Sequence, residues 1–418
     1  MSAPTGDPAL VSPASDSHPG RWRMLGILTV AELLGMTLWF AASAVSAQYT
    51  AQWTLSSSEA AWLTTIVQLG FVTGTAVSAL LNLADIMPAR WLFASCAVMG
   101  AAANAMLLTA EGLSGALVWR FVTGLALAGV YPPAMKMIAT WFRARRGLAV
   151  GTIVGALTVG KAMPYLVHAI PGAGITPVVG SASVGACIAA LLVWFGYREG
   201  PYPFPARPFS WHLVRDVVRT PAWRLSTGGY LGHMFELYAV WTWLPVFIAA
   251  SIAAHDPTAG ARSVSVASGL AFAALAIGGA GCIWGGLVAD RRGRAWLVTR
   301  AMAISGACSV LIGFAFGRSL WLLVPIALVW GFFVIADSAQ FSVLVTESVP
   351  PHAVGTALTL QTSLGFLLTA VVIQLVPPLA AHVGWQWAFA VLSLGPVFGI
   401  ASIAQLLRRE MRRVNRTE

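Results

Sequence analysis

Glu32, Arg120, Lys136, Lys161, Glu236 and Asp337 are formal charges set inside long apolar stretches of a 418-residue chain that is 58% hydrophobic and only 10% charged. A charge at the centre of a bilayer costs about 2.5–3.5 kcal/mol on the insertion scale, so six cost roughly 15–21 kcal/mol unless they pair or meet a cavity. Three acids against three bases allow mutual pairing. They also allow the chemistry for which membranes keep such groups, the passage of protons and charged solutes.

Lys161 is the most informative of the six. The chain has two lysines, Lys136 and Lys161, and Tyr165 and His168 follow Lys161 at i+4 and i+7. That spacing sets ammonium, phenol and imidazole on one helix face. Such a stripe can grip an anion, or the lysine can pair with Glu32 and hold two helices together. Arg120 shares a face with Gly124 and Tyr131, and serves either as a substrate contact or as a structural partner. Lys136 lies near the end of its stretch, where its long stem can snorkel to the surface.

His233 and Glu236 stand at i, i+3, with Tyr238, Trp241 and Trp243 close by. A carboxylate in apolar surroundings can cycle its proton near neutral pH, and imidazole titrates there already. Glu32, Glu236, His233 and Asp337 are therefore the candidate proton carriers, set against satisfied interhelical hydrogen bonds. Gln340, at i+3 from Asp337, joins Lys161, Tyr165, Arg120, Trp39 and Trp243 as candidate substrate contacts. The aromatic members line a cavity or simply pack.

The elements that must position these groups are membrane spans. A mean hydropathy of +0.76 fits an integral membrane protein. Windows of about 20 apolar residues, each long enough to cross a bilayer, fall near 24–47, 60–82, 91–110, 114–140, 147–169, 174–196, 225–251, 265–288, 296–316, 319–345, 354–378 and 386–406. At ~1.5 Å of rise per residue, Glu32, Asp337, Glu236 and Lys161 lie ~13–21 Å from the basic ends of their spans, near the midplane. The charges avoid spans 3, 6 and 12.

The chain also contains itself twice. Glu32-Leu33 with Trp39 recurs 204 residues later as Glu236-Leu237 with Trp243. Ala84-Asp85 and Trp91-Leu92 recur as Ala289-Asp290 and Trp296-Leu297, 205 residues on. Duplicated halves with a site at their interface are a secondary-transporter architecture.

The net charge of +10 does not point to nucleic acid. Twenty of the 25 basic residues fall in alternate loops and tails, and only Arg262 and Arg318 in the other set. That is the positive-inside pattern, which places both termini in the cytoplasm and the protein in the cell (inner) membrane. Cys96, Cys187, Cys282 and Cys308 lie singly in apolar stretches, without disulfide or metal-ligand spacing. No cofactor is implied, and no nucleophile–base pair or phosphate loop suggests an enzyme.

These features together resemble the major facilitator superfamily from Arg21 onward. Its motif G-x-x-x-D-R-x-G-R stands complete as Gly286, Asp290, Arg291, Gly293 and Arg294. The first-half copy keeps Asp85 and Arg90, but Leu81 replaces the glycine. Arg120 and Gly124 match the family's R-x-x-x-G element, and Trp141-Phe142 to Arg146-Gly147 resembles its link between spans 4 and 5. The resemblance implies an all-α integral membrane fold, with twelve transmembrane helices in two pseudo-symmetric six-helix bundles. It implies a gating latch at Asp85, Arg90, Asp290, Arg291 and Arg294, and in the second half aligns Phe366 with Lys161. It divides the chain into a disordered cytoplasmic tail (1–22), a first bundle (23–196), a cytoplasmic linker (197–224), a second bundle (225–406) and a basic tail (407–418).

The expected function is alternating-access transport of a small organic anion coupled to protons, by a monomer in the bilayer. Two alternatives stand beside it. A drug or lipophilic-cation efflux antiporter of the family usually carries a G-P dipeptide late in span 5, whereas Gly160 and Pro164 are separated here. Nitrate/nitrite porters carry clamping arginines in spans 2 and 8, whose interiors have none here.

Overall fold

The computed structural model describes residues 18–143, 145–202 and 210–414, without the side chains of Ala84, Asp85, Arg146, Ala261, Arg413 and Val414. Among these residues all regular structure is helical. Eleven helical segments are long and apolar enough to cross a membrane. They are span 2 (Ser57–Leu80), span 3 (Ala89–Thr109), span 4 (Leu113–Ala139), span 5 (Gly147–His168), span 6 (Ile175–Gly196), span 7 (Pro221–His255), span 8 (Arg262–Arg292), span 9 (Arg294–Phe314), span 10 (Leu320–Ser348), span 11 (Pro351–Val383) and span 12 (Trp385–Arg412). Span 1 precedes them in three pieces, Arg21–Met36, Ala41–Ala44 and Ser46–Trp53. Each of the twelve expected stretches therefore has a helical counterpart, and the first, fourth and tenth are interrupted.

The interruptions have local causes. Span 4 stops at Leu127 and restarts at Tyr131, with Pro132 and Pro133 in the new first turn, where a missing N–H costs least. Span 10 changes piece at Asp337, between Ala336 and Ser338. Span 1 breaks over 37–40 without a proline, and its freed Leu38 and Trp39 carbonyls are taken up by the Arg120 guanidinium. Span 7 begins at Pro221, inside the expected linker. Before it the amphipathic helix Trp211–Arg219 buries Val217 against Trp223, Val345, Val349 and Ala357.

The two halves pack alike. In the first, span 2 lies on 4, span 3 on 4 and 6, and span 1 on 5 and 6. In the second, span 8 lies on 10, span 9 on 10 and 12, and span 7 on 11 and 12. Adding six to each number in the first set gives the second. Between halves, span 5 packs on 8 and span 2 on 11, two pairs that exchange under the same operation. The duplication in the sequence is thus a duplication of contacts.

Spans 5 and 8 come closest at two glycines. A Cβ on Gly155 would sit 3.2 Å from the Gly279 carbonyl oxygen, and one on Gly279 3.1 Å from that of Gly155. Gly147, Gly151 and Gly286, toward the face that carries the linker, look onto open space. Toward the opposite face the spans stay together, with His168 Nδ1 2.9 Å from Ser268 Oγ. On the other inter-half pair Gln374 donates to Thr65 Oγ1 at 3.1 Å. The halves are clipped on the far face and parted on the basic one.

Candidate functional site

The parting leaves a cavity of about 110 Å³ between the halves. Its walls come from spans 4 and 5 (Tyr131, Met135, Val150, Val154, Leu157, Lys161), span 7 (Tyr230, Met234, Leu237, Tyr238, Trp241), span 10 (Ile335, Ser338, Ala339, Ser342) and span 11 (Thr362, Phe366). The lining runs from Lys161 and Trp241, at or just past the midplane, to Met135, Val150 and Ser342 nearer the basic face, so the cavity extends toward that face. Lys161 is the one formal charge among the lining residues. The rest are aromatic, aliphatic, or carry hydroxyl groups.

Lys161 sits at the closed end, 2% exposed. Its ammonium lies 3.9 Å from the Trp39 ring centroid and 5.6 Å from that of Trp241, and it donates to the Tyr238 hydroxyl. Cation–π attraction operates within about 6 Å of a ring centroid. Trp39, Phe71, Tyr238 and Phe366 form a continuous aromatic layer, with neighbouring centroids 4.6–5.8 Å apart. This layer draws on spans 1 and 2 from one half and 7 and 11 from the other, and it closes the cavity toward the far face. Tyr165, expected to share a ligand stripe with Lys161, is fully buried and donates to the Trp241 carbonyl at 3.1 Å.

The two duplicated glutamates have different surroundings. Glu236 accepts from Trp330 Nε1 at 2.6 Å and from Ser305 Oγ at 2.8 Å. The positions 205 residues earlier are Leu125 and Gly100, which offer no donor. Both oxygens of Glu32 are accordingly buried with no hydrogen-bond partner. Glu32 is close enough to Lys161 for the two charges to interact, yet the lysine is turned to the aromatic rings. His233 Nδ1 lies 2.9 Å from Asp337 Oδ1, both buried, which ties span 7 to the break in span 10.

Arg120 is fully buried but does not line the cavity. Its guanidinium donates to the carbonyls of Leu63 (3.1 Å), Leu38 (2.9 Å) and Trp39, and reaches Asn104 Oδ1 at 3.5 Å. Asn104 in turn donates to the Val179 carbonyl and Ser183 Oγ, both at 3.0 Å. An arginine expected to hold substrate is therefore occupied in closing the break of span 1. Trp243 donates to the Ile373 carbonyl at 3.0 Å. Gln340 is buried behind Ala339 and does not line the cavity. Lys136 lies half-buried in the last turn of span 4.

At the basic face Arg294 pairs with Glu347 at 2.5 Å, joining the motif loop to the end of span 10. Asp290 and Arg90 are exposed, Arg291 and Arg292 flank a surface cleft with Trp284 and Trp296, and the side chain of Asp85 lies outside the described residues. Glu347, Asn104, Tyr230 and the cavity-lining Ser338, Ser342 and Thr362 have no signal in the sequence, whose polar residues carry no mark of the neighbour they will meet. Tyr238, Trp241 and Phe366 had a signal, their closeness in sequence or in the repeat to Glu236 and Lys161.

Twelve helical stretches in two halves of matching contacts, with a charged cavity at their interface, define a secondary active transporter. The family model of the Major Facilitator Superfamily matches residues 27–373. The chain belongs to that family, and it is a multi-pass membrane transporter rather than an enzyme. No curated protein matches it by sequence. Among solved structures, a bacterial homologue of the human lysosomal transporter Spinster, inward-facing and unoccupied, has a TM-score of 0.70 and 16% identity over 93% of this chain and 97% of that one. The same homologue, inward-facing and occupied, scores 0.68 at 15% identity, covering 94% and 98%. A point mutant of the nucleoside transporter NupG scores 0.68 at 16% identity, covering 92% and 99%. At these identities the likeness is one of fold.

Proposed function

We propose that this protein moves a small organic anion together with protons, with the basic face in the cytoplasm and the cavity facing inward. One observation carries the charge preference: among the described residues, Lys161 is the single formal charge lining the cavity. A cationic drug would meet that ammonium with no carboxylate among the lining residues, which counts against the efflux reading. The aromatic and aliphatic walls suit an organic body more than a bare inorganic ion. Glu32 is the proton carrier in this reading, because both of its carboxylate oxygens are buried without a hydrogen-bond partner beside the site. Glu236 is already engaged by Trp330 and Ser305, and the His233–Asp337 contact joins spans 7 and 10, so these act as structural ties. Arg120 and Tyr165 position the site without touching the solute. The positive-inside distribution supports the orientation.

The test is uptake into proteoliposomes of monocarboxylates against organic cations, with and without an imposed pH gradient. Accumulation of an anion that rises with an inward proton gradient and is lost in Lys161→Ala supports the reading. Cation-specific transport that survives Lys161→Ala would refute it.

A further inference from the structure

We infer that Trp39, Trp241 and Tyr238 form an ammonium site whose occupant is the protein's own Lys161, and that this site competes with the transported anion for the lysine in the state open to the basic face. The second half of the inference rests on the anion reading; the first does not.

The geometry is that of a cation receptor. The ammonium lies over the Trp39 face at 3.9 Å, has a second indole at 5.6 Å, and gives a hydrogen bond to a phenol oxygen. Aromatic faces with a nearby oxygen are how ammonium groups are held without a full counter-charge. The expected counter-charge is close but unused, since neither oxygen of Glu32 receives a hydrogen bond. Lys161 thus has two possible partners, and this conformation gives it the rings.

Its two halves make the receptor depend on conformation. Lys161 and Trp39 belong to spans 5 and 1, in the first half; Tyr238 and Trp241 belong to span 7, in the second. Parting the halves on the far face carries Tyr238 and Trp241 away from Lys161. The lysine is then left with Trp39, Glu32 and whatever anion enters. Closing that face restores the phenol and the second indole, which draw the ammonium off the anion as the cavity opens on the basic side. The receptor therefore favours release on that side.

Tyr238→Phe decides between this and an ordinary substrate contact, because the two readings give opposite signs. It keeps the ring and removes the acceptor. With purified protein and benzoate as the probe anion, the variant is expected to bind about tenfold more tightly than wild type, since one charged hydrogen bond no longer competes. Weaker benzoate binding by Tyr238→Phe would overturn the competition. A second arm tests the receptor alone. Lys161→Ala vacates it, and is expected to bind tetramethylammonium, read as a change in tryptophan fluorescence, where wild type does not. Adding Trp39→Leu should abolish that binding. A Lys161→Ala protein with native melting behaviour and no response to tetramethylammonium would overturn the ammonium site. A wild type that binds no anion, beside a Lys161→Ala variant that takes tetramethylammonium, keeps the receptor and removes the anion reading.

Discussion

Arg120→Leu is expected to destabilise the protein through span 1, a helix that Arg120 does not belong to. The guanidinium supplies hydrogen bonds to three buried backbone carbonyls, those of Leu38, Trp39 and Leu63. Leaving a buried acceptor unsatisfied costs about 1–3 kcal/mol. Three such losses, at the low end because a helix end can relax, come to about 3–5 kcal/mol, the range seen when one member of a buried charged network is removed. The effect should be local first. Hydrogen exchange in peptides covering residues 36–44 should speed up on the order of 100-fold, which corresponds to about 3 kcal/mol. The melting temperature in detergent should fall with it. Arg120→Lys should be intermediate, since a compact ammonium cannot span carbonyls on two helices as the planar fork does. If Arg120→Leu melts like wild type and exchanges normally over 36–44, the capping role is wrong. Loss of substrate binding with both readouts unchanged would make Arg120 a ligand instead.

Four further variants have expected outcomes. Glu32→Gln should abolish the response of uptake to a pH gradient with little change in melting temperature. Glu236→Gln should do the reverse, because an amide can turn only one acceptor toward the Trp330 and Ser305 donors; equal behaviour of the two variants would refute their different assignment. Gly155→Val should insert and bind substrate but transport at a small fraction of the wild-type rate, since a side chain where a Cβ already comes within 3.2 Å of the Gly279 carbonyl blocks the sliding of spans 5 and 8. Normal transport by that variant would show that the crossing is not a moving contact. A cysteine at Ser210 should react with impermeant thiol reagents from the cytoplasmic side alone, and labelling of intact cells would invert the proposed orientation.

The span pattern and the duplication were legible in the chain because a bilayer imposes a length and a polarity that any sequence must show. The break in span 4 was legible too, through Pro132 and Pro133. The break in span 1 was not. Residues 37–42 contain neither proline nor glycine, and the break is held from outside by Arg120, a tertiary contact with no local signature. Reading Glu32 and Glu236 as equivalents was natural from the repeat. Their difference lies in the partners, since Trp330 and Ser305 have no donors at the matching positions. Charge and the helical spacing of Tyr165 and His168 point Lys161 toward Glu32 or an anion. Charge does not reveal that Trp39 and Tyr238, from opposite halves, converge on the ammonium.

The Gly155–Gly279 crossing sets unequal lever arms. His168 is 13 residues beyond it toward the far face and Gly147 eight toward the basic face, about 20 Å and 12 Å of helix. A tilt of roughly 3° about the crossing would move the far end by ~1 Å and the basic end by ~0.6 Å. An extra ~1 Å on the 2.9 Å His168–Ser268 contact takes it beyond hydrogen-bond range. The far clip would therefore release while the basic side is still almost fully parted. The aromatic layer sits nearer the pivot, with Lys161 only ~9 Å along from Gly155. It would shift by about half as much, and ring pairs remain in favourable contact over centroid separations of about 4.5–7 Å. The seal against leakage early in the stroke thus belongs to Trp39, Phe71, Tyr238 and Phe366. The molecule can let go of its polar clips before it opens, and stay shut at the rings until the basic side has closed.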